Sequence, residues 1–480
     1  MRTALLCLSL LLLAACERGA LLNNRPPDTR IFLDQINRSG QNRLNSVVQL
    51  HWTGEDDDGY VRGFELSLDN STWHYTTASD SVIRFDLDPA SDTTDIDFYV
   101  RAIDNLGLAD PDPAYLRIPI RNTPPVARFD TINRIAAQVT ALWSARWSVS
   151  DLDGSETLDS VFLRINDGPW LALRPQETFG SFIPADPAAT GTQDLRLLLG
   201  PQALEYPLPL AGVRVGDDNR LYLRARDIAG AYSATDSTNV FFVAARRSDL
   251  LVIDAHGDEA PNAVYYPLLD QVYGTYDRFD LVNDLPAYWT PTFSLFLQQY
   301  DKVFWFGDDA RPTSLNTQMY LEAAAVPLQE YLNQGGKLFV TAKFPSPSSY
   351  DDPQDLNRSS IFDFSPMDSL STSGGQARMR VDSLARPLAA YAATYPPLVC
   401  ATNILGADPF YPKDPNNAIY EAALLPVSGW SGPRTVCARA AFTNGKTNQV
   451  FFALELDRLA GDPAALQALF EQVLLTEFDW

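Results

Sequence analysis

The sequence of 480 residues predicts a multidomain chain in which two all-β sandwiches precede an α/β domain with a doubly wound parallel sheet. An internal repeat, with turn residues between alternating apolar strands, indicates the two sandwiches. Continuous apolar strands that alternate with helix-like stretches after residue 245 indicate the parallel sheet. A short apolar run at the start indicates a secretory signal ahead of these domains.

Residues 1–15 have the pattern of a signal peptide, because Arg2 supplies a positive n-region and an apolar h-region follows it. The apolar run falls short of the ~20 residues needed to span a bilayer. Leu13-Ala14-Ala15-Cys16 resembles the lipobox of bacterial lipoprotein precursors. The resemblance implies that Cys16 is acylated and becomes the new N-terminus, with residues 16–25 as a lipidated tether. The alternative is an ordinary signal peptide with a chance cysteine.

The formal net charge of −23 excludes broad classes of partner. Nucleic acid requires basic patches, and an anionic membrane surface repels an acidic protein. We therefore expect no nucleic acid partner, and we expect contact with the membrane through the lipid anchor alone. Glu17 after Cys16 is compatible with sorting to the outer membrane. The predicted location is the cell envelope, on the periplasmic or the surface face.

The internal repeat places the first sandwich at residues 26–121 and the second at residues 122–245, with an insertion at about 174–215. Asn24-Arg25-Pro26-Pro27 recurs as Asn122-Thr123-Pro124-Pro125, and the segment 99–107 recurs as 222–230. Trp52, Asp56, Asp58 and Gly59 recur at the same spacing as Trp147, Asp151, Asp153 and Gly154. The pattern resembles bacterial fibronectin type III or immunoglobulin-like domains.

Residues 246–480 alternate apolar strands with amphipathic segments, beginning with Leu250-Leu251-Val252-Ile253. Ser, Pro and Asp are frequent from about 345 to 434, which predicts a loop-rich insertion with a strand or two. Tyr300-Asp301-Lys302-Val303 and the segment 331–338 resemble the class I glutamine amidotransferase-like, flavodoxin-like group. This resemblance extends over about residues 249–480 and implies a doubly wound parallel sheet.

The catalytic residues of that group are absent from this sequence. The nucleophilic cysteine should stand at the turn after the fourth strand, where this chain has Ala342-Lys343-Phe344-Pro345. The activating histidine should come later, but the three histidines are His51, His74 and His256. We therefore expect no amidotransferase chemistry.

Polar residues follow several of the predicted parallel strands, at the edge where open α/β sheets bind ligands. Asp254, His256, Asp258 and Glu259 follow the first strand, Asp308 and Asp309 follow the third, and Lys343 follows the fourth. If they converge, these carboxylates and the imidazole suit a divalent cation or the hydroxyls of a sugar. The alternative is that they cap helices and complete turns.

The two Asp-x-Asp-Gly turns are weaker candidates for calcium. Asp56 and Asp58 in the first sandwich, and Asp151 and Asp153 in the second, offer carboxylate oxygens. No glutamate stands at the distance expected for a bidentate ligand, and the same residues form ordinary tight loops.

Cys400 and Cys437 are the two cysteines left after the signal peptide and the lipid acceptor. An even pair in an extracytoplasmic compartment predicts a disulfide that would add ~3–4 kcal/mol in the chain-entropy model. The alternative is two buried thiols.

These observations favour a membrane-anchored envelope lipoprotein with a non-enzymatic binding or scaffolding role, whose α/β head stands on a β-sandwich stalk. Envelope proteins or glycans are the expected partners. The alternative is a carbohydrate-active or metal-assisted hydrolase that uses the strand-end carboxylates. A native mass spectrum would distinguish a bound divalent cation from an unliganded chain.

Overall fold

The computed structural model describes residues 24–33, 38–39, 43–44, 47–84, 93–310, 318–344, 361–370 and 376–480. Cys16 and the predicted signal peptide lie outside these residues. No helix within the described ranges is long and apolar enough to cross a membrane. The chain divides into two compact units. Unit 1 comprises Met1–Ala127, Val149–Val161 and Arg224–Ala234, and unit 2 comprises Arg128–Ser148, Phe162–Leu223 and Thr235–Trp480.

The first module is a β-sandwich of nine strands within the described residues. They are β1 (Asp28–Leu33), β2 (Arg38–Ser39), β3 (Arg43–Leu44), β4 (Val47–Glu55), β5 (Val61–Ser67), β6 (His74–Thr76), β7 (Asp80–Arg84), β8 (Thr93–Asp104) and β9 (Ala114–Arg121). One sheet has the order β1-β4-β7 and the other β2-β3-β9-β8-β5-β6. Val48, Leu50 and Trp52 alternate into the core, as the apolar pattern predicts. The Trp52 ring packs against Phe64 and Phe98.

The second module is also a β-sandwich, so the prediction of two all-β modules is confirmed. Its strands are β10 (Val126–Phe129), β11 (Gln138–Thr140), β12 (Trp143–Ser150), β13 (Leu158–Ile165), β14 (Leu171–Leu173), β15 (Phe179–Pro184), β16 (Gly191–Leu199), β17 (Leu204–Glu205), β18 (Leu210–Val215), β19 (Asp217–Asn219), β20 (Leu221–Asp227), β21 (Asp236–Ser237) and β22 (Phe241–Ala244). The predicted insertion supplies β15 to β18, which extend the sheet β10-β12-β15-β16-β17.

The C-terminal residues form a nine-stranded sheet flanked by helices. The strands that continue the numbering are β23 (Leu250–Ala255), β24 (Asp277–Asp280), β25 (Lys302–Gly307), β26 (Lys337–Ala342), β27 (Met367–Leu370), β28 (Gln376–Met379), β29 (Leu384–Pro387), β30 (Leu398–Val399), β31 (Ile404–Ala407), β32 (Phe410–Pro412), β33 (Ala418–Ala422), β34 (Leu425–Val427), β35 (Thr435–Ala441) and β36 (Thr447–Phe452). The helices are α1 (Asn262–Val272), α2 (Ser294–Leu297), α3 (Tyr320–Ala323), α4 (Ala325–Asn333), α5 (Ile361–Phe364) and α6 (Pro463–Glu471).

The order of this sheet is β24-β23-β25-β26-β36-β35-β33-β29-β30. The first five strands pair in parallel and the remaining four pair antiparallel. Every residue of β23, β25, β26 and β36 is buried, which explains the apolar runs that each of these strands contains. The prediction of only a strand or two between 345 and 434 is wrong, because β27 to β34 begin there. These strands have two to five residues, too few to show a hydrophobic period.

The second module and the parallel sheet share one hydrophobic cluster inside unit 2. Leu142, Ile183 and Leu198 of the second module pack into the same cluster as Ile253 and Trp305 of the sheet. The compact units therefore differ from the predicted division at residues 121 and 245. The physical reason is that apolar residues on the inserted strands of the second module are buried against the C-terminal residues rather than left exposed.

Candidate functional site

Polar side chains converge at the carboxyl edge of the five parallel strands. β23 lies between β24 and β25, so the chain connections run to opposite sides of β23, and such a switch point is where open α/β sheets bind ligands. We call His256, Asp308, Asp309, Lys343 and Glu455 the strand-end cluster. Each of them follows β23, β25, β26 or β36 by one to three residues.

His256 is at the centre of the cluster, and its side chain is 9 % exposed. Its Nδ1 lies 2.8 Å from the carbonyl oxygen of Asp258 and 3.7 Å from Oδ2 of Asp308. Its Nε2 lies 3.3 Å from Oε1 of Glu455. Nδ1 also lies 3.0 Å from the backbone nitrogen of Asp258, whose N–H donates to it, so this nitrogen meets a donor as well as acceptors, whereas Nε2 faces the carboxylate of Glu455.

The surroundings of His256 act on its charge in opposite directions. Burial lowers the pKa of the imidazole, but the hydrogen bond to Glu455 and the charge of Asp308 outweigh burial, so the pKa is raised. For Glu455 the directions are reversed. Burial by itself raises the pKa of this carboxyl group, but His256 and Arg458 outweigh burial and hold the pKa below its usual range. Nε of Arg458 donates to Oε2 of Glu455 at 2.6 Å. Glu455 therefore links two cationic groups.

Asp308 and Asp309 turn to different partners. Oδ1 of Asp308 accepts from the backbone N–H groups of Gly257 and Ala310, at 3.2 and 2.9 Å. Asp309 forms an ion pair of 2.7 Å with Lys343, and both side chains are more than one-third exposed. The sequence left open whether these residues converge, and the structure brings Asp308 to His256.

The other three strand-end candidates do not join the cluster. They are Asp254, Asp258 and Glu259. Oδ1 of Asp254 accepts from the backbone of His256, and burial raises the pKa of this carboxyl group. Oδ1 of Asp258 accepts from the backbone N–H of Ala260, just before α1. Asp258 and Glu259 are exposed. Asp258 matches the alternative interpretation, in which such residues complete turns.

A buried carboxylate that the sequence did not reveal lies beside the cluster. Asp408 is 9 % exposed and follows β31. Burial raises the pKa of Asp408 to about 7, while the backbone N–H of Phe344 and the charge of Lys343 act in the opposite direction. The sequence did not reveal Glu455 either, because 199 residues separate it from His256.

The metal interpretation is not supported by the geometry. Within the described ranges, no group of three or more His, Cys, Asp and Glu side chains has an arrangement that holds a metal ion. The reason is that the strand-end carboxylates are directed toward His256, Lys343, Arg458 or backbone N–H groups rather than toward a common point.

The calcium candidates organise the repeated turns instead. In the first module, Oδ1 of Asp56 accepts from the backbone N–H of Asp58, and Asp58 accepts from the backbone of Arg25. In the second module, Asp151 accepts from the backbone of Asp153, and Asp153 accepts from the backbone of Thr123.

A third carboxylate completes each of these turns. Asp104 accepts from Asn24 and Leu108, and Asp227 accepts from Asn122 and Ala231. We call each of these sets a turn network.

The predicted disulfide is not formed, because Cys400 and Cys437 are both free and fully buried. Sγ of Cys400 donates to the carbonyl oxygen of Thr402 at 2.9 Å. Cys437 lies inside β35, opposite Phe452. Burial raises the pKa of each thiol, so neither supplies a thiolate for nucleophilic chemistry at neutral pH.

No family model matches the chain, and no curated protein matches it. Among solved structures, the fibronectin(III)-like modules of Clostridium thermocellum CbhA are 15% identical, with 45% of this chain and 95% of that chain covered and a TM-score of 0.17. The PKD1 domain of Vibrio anguillarum Epp is 11% identical, with 20% and 98% covered and a TM-score of 0.15. The tetra-tandem repeat of a large adhesion protein is 14% identical, with 45% and 49% covered and a TM-score of 0.17. At these TM-scores, we draw no functional conclusion from the likenesses.

Proposed function

We propose that this protein is a cell-envelope lipoprotein, anchored through Cys16, that binds an envelope partner without catalysing a reaction. Residues 246–480, which we call the head, present the binding surface, and the two β-sandwich modules lie between the head and Cys16 along the chain. The strand order of the parallel half is second, first, third, fourth, fifth, which is the flavodoxin-like order. That order supports the resemblance of the head to the amidotransferase-like group.

The observation that carries the proposal is the residue that follows the fourth parallel strand. Where the related enzymes need a nucleophile, Lys343 pairs with Asp309, and Phe344 is buried with its ring stacked 6.0 Å from that of Phe451. The remaining candidate nucleophiles, Cys400 and Cys437, are buried thiols with raised pKa values. Within the described ranges, no Ser or Cys side chain takes the place of that nucleophile at the switch point, which favours recognition over amidotransferase-type catalysis.

Substitution at Cys16 tests the anchor. We expect C16S to leave the membrane fraction while C7S, which lies in the predicted signal peptide, stays with the membranes as the wild type does. Metabolic labelling with palmitate provides a second readout, and labelling that persists in C16S would disprove the assigned acceptor.

Co-purification tests the binding role of the head. The full-length chain, solubilised in detergent, should retain an envelope partner at constant stoichiometry. The substitution E259K changes an exposed charge beside the switch point and should reduce that yield, whereas E421K, on the antiparallel half of the sheet, should not. Equal yields from both variants would contradict recognition through the switch point.

The second candidate function is hydrolysis by the strand-end carboxylates, favoured by the short separations between His256, Asp308 and Glu455. It predicts that the purified chain releases sugar from envelope polysaccharides, and that E455Q abolishes the release. Release by the wild type and not by E455Q would replace the binding role with the enzymatic one.

A further inference from the structure

The second module contains a cavity of about 250 Å³ that belongs to none of the sites described above. All of its lining residues lie in unit 2. They come from three segments of the chain, which are 129–135, Ala145-Arg146 and 236–239. This volume is slightly below the range typical of drug-sized ligands, so it suits a small molecule. Its walls are polar and apolar in about equal measure, and the charged and amide side chains among them are Asp130, Asn133, Arg134, Arg146, Asp236 and Asn239.

Arg146 is held at this cavity by two aromatic rings. Its guanidinium carbon lies 5.4 Å from the centre of the Tyr288 ring and 5.9 Å from that of Phe179. The two rings pack edge to face at 5.0 Å, so they form a rigid support. Cation–π contact fixes the position of a guanidinium without using its N–H donors.

The N–H donors of Arg146 have no acceptor among the described residues. The guanidinium forms no ion pair or hydrogen bond there, although the protein carries a net charge of −23. Arg134, the other cation in the walls, differs because its Nε donates to the carbonyl oxygen of Thr131 at 2.9 Å. Arg146 therefore presents a planar fork of donors at a cavity that already contains two carboxylates.

The charge of Arg146 contributes to the low pKa of Asp130, but both carboxylates accept their hydrogen bonds from other groups. Asp130 accepts from the backbone N–H groups of Ile132 and Asn133 and from the Asn133 side chain, which together hold its pKa below the usual range. Asp236 accepts from the backbone N–H of Phe129 at 2.8 Å.

The Tyr288 ring that supports Arg146 carries a buried hydroxyl group behind the cavity wall. Its hydroxyl group is buried beside Asn133 and makes no hydrogen bond of normal geometry within the described part of the chain. A buried hydroxyl that is left unsatisfied costs free energy. Tyr288 is not among the residues that line the cavity, so the group that calls for a ligand there is Arg146, and the ligand group that suits it is an oxygen acceptor with negative charge.

We propose that this cavity binds a small carboxylate that also carries hydroxyl groups, such as a sugar acid. The carboxylate accepts two parallel hydrogen bonds from Arg146, the geometry for which a guanidinium is suited and an ammonium is not. Asn133, Ser237 and Asn239 line the remaining wall. The two amide nitrogens already donate within the protein, so the amide oxygens and the Ser237 hydroxyl are the groups left to meet sugar hydroxyls. This proposal does not depend on the role of the head.

Isothermal titration of the full-length chain in detergent with D-glucuronate tests the proposal. D-glucose is the neutral probe of the same size, and inorganic phosphate is the tetrahedral anion. We expect saturable binding of glucuronate, with glucose and phosphate each bound at least about tenfold more weakly. We expect R146K to weaken glucuronate binding by about tenfold, because the charge remains while the fork is lost.

Matched variants separate binding from folding. R196K changes an exposed arginine of the same module that pairs with Glu205, and it should bind glucuronate as the wild type does. Y288F keeps the ring beneath Arg146 and removes only the hydroxyl, so a smaller loss than in R146K is expected. The near-ultraviolet circular dichroism of each variant should match that of the wild type.

Three results would overturn the proposal. The first is the absence of saturable glucuronate binding by the wild-type chain. The second is equal affinity for glucuronate in R146K and R196K. The third is phosphate binding that depends on Arg146 while glucuronate binding does not, which would assign the cavity to a different class of anion.

Discussion

Carboxylates perform opposite tasks in two regions of this protein, the turn networks of the modules and the strand-end cluster of the head. In the turn networks, Asp151, Asp153 and Asp227 accept hydrogen bonds from backbone and Asn donors, which fixes loops. In the strand-end cluster, Glu455 and Asp309 face cationic side chains instead. The difference shows that the partner, rather than the residue type, decides whether a carboxylate stabilises a turn or forms part of a polar site.

The two regions should also differ in how their stability responds to pH. The backbone N–H and Asn amide donors of the turn networks carry no titratable proton, so the donor side of each network does not change with pH. The strand-end cluster depends on ionisable partners and on burial, so its stability changes with pH. Four predictions follow from this contrast, in order of decreasing effect.

The largest effect is expected at Asp408, whose pKa rises from 3.8 to about 7 in the folded chain. Since the folded state binds this proton more tightly than the unfolded state, stability falls as the pH rises from about 4 to about 7, and it levels off above. Relative to D408N, the wild type should lose about 4 kcal/mol of unfolding free energy over that interval. Urea denaturation at several pH values measures the difference, and a pH-independent difference would contradict the assignment.

The next effect is expected at Asp227 of the second turn network. D227A should lower the unfolding free energy by about 3 kcal/mol, because the donors of Asn122 and Ala231 lose their acceptor in a buried position. The control is D167A, whose exposed carboxylate pairs with Arg214 and should change stability by less than about 0.5 kcal/mol. Equal losses in both variants would show that the network is not structural.

A smaller effect is expected at His256, whose pKa is raised in the folded chain. The stabilisation is fully present below the ordinary pKa of 6.5 and is lost as the pH rises through the raised value. The melting temperature of the wild type should therefore exceed that of H256Q most at acidic pH. The His256 resonance should titrate at a lower pH in E455Q than in the wild type and stay unchanged in D309N.

The smallest effect is expected from the ion pair between Lys343 and Asp309. Both side chains are more than one-third exposed, so solvent screens their attraction. K343M should change the unfolding free energy by less than about 1 kcal/mol, and the effect should shrink further at high salt. A loss as large as that of D227A would mean that the pair is part of a buried network.

Sequence reasoning predicted those parts of the site that local pattern determines. The rule that ligands bind at the carboxyl ends of parallel strands selected His256 and Asp308 as candidates, and they meet because β23 and β25 are neighbours in the sheet. The same rule missed Glu455, since nothing local to residue 455 indicates that β36 pairs with β26. The short strands between 345 and 434 were missed as well, because two to five residues do not define a period.

What the sequence by itself determined is the repeat and its strands. Two copies of one pattern must adopt one fold, and an alternating apolar period has only one face to bury. What only the tertiary structure decided is which charges meet. Cys400 and Cys437 remain separate thiols, and the guanidinium of Arg146 packs on two aromatic rings. Both outcomes follow because long-range packing rather than sequence spacing sets the distance between side chains.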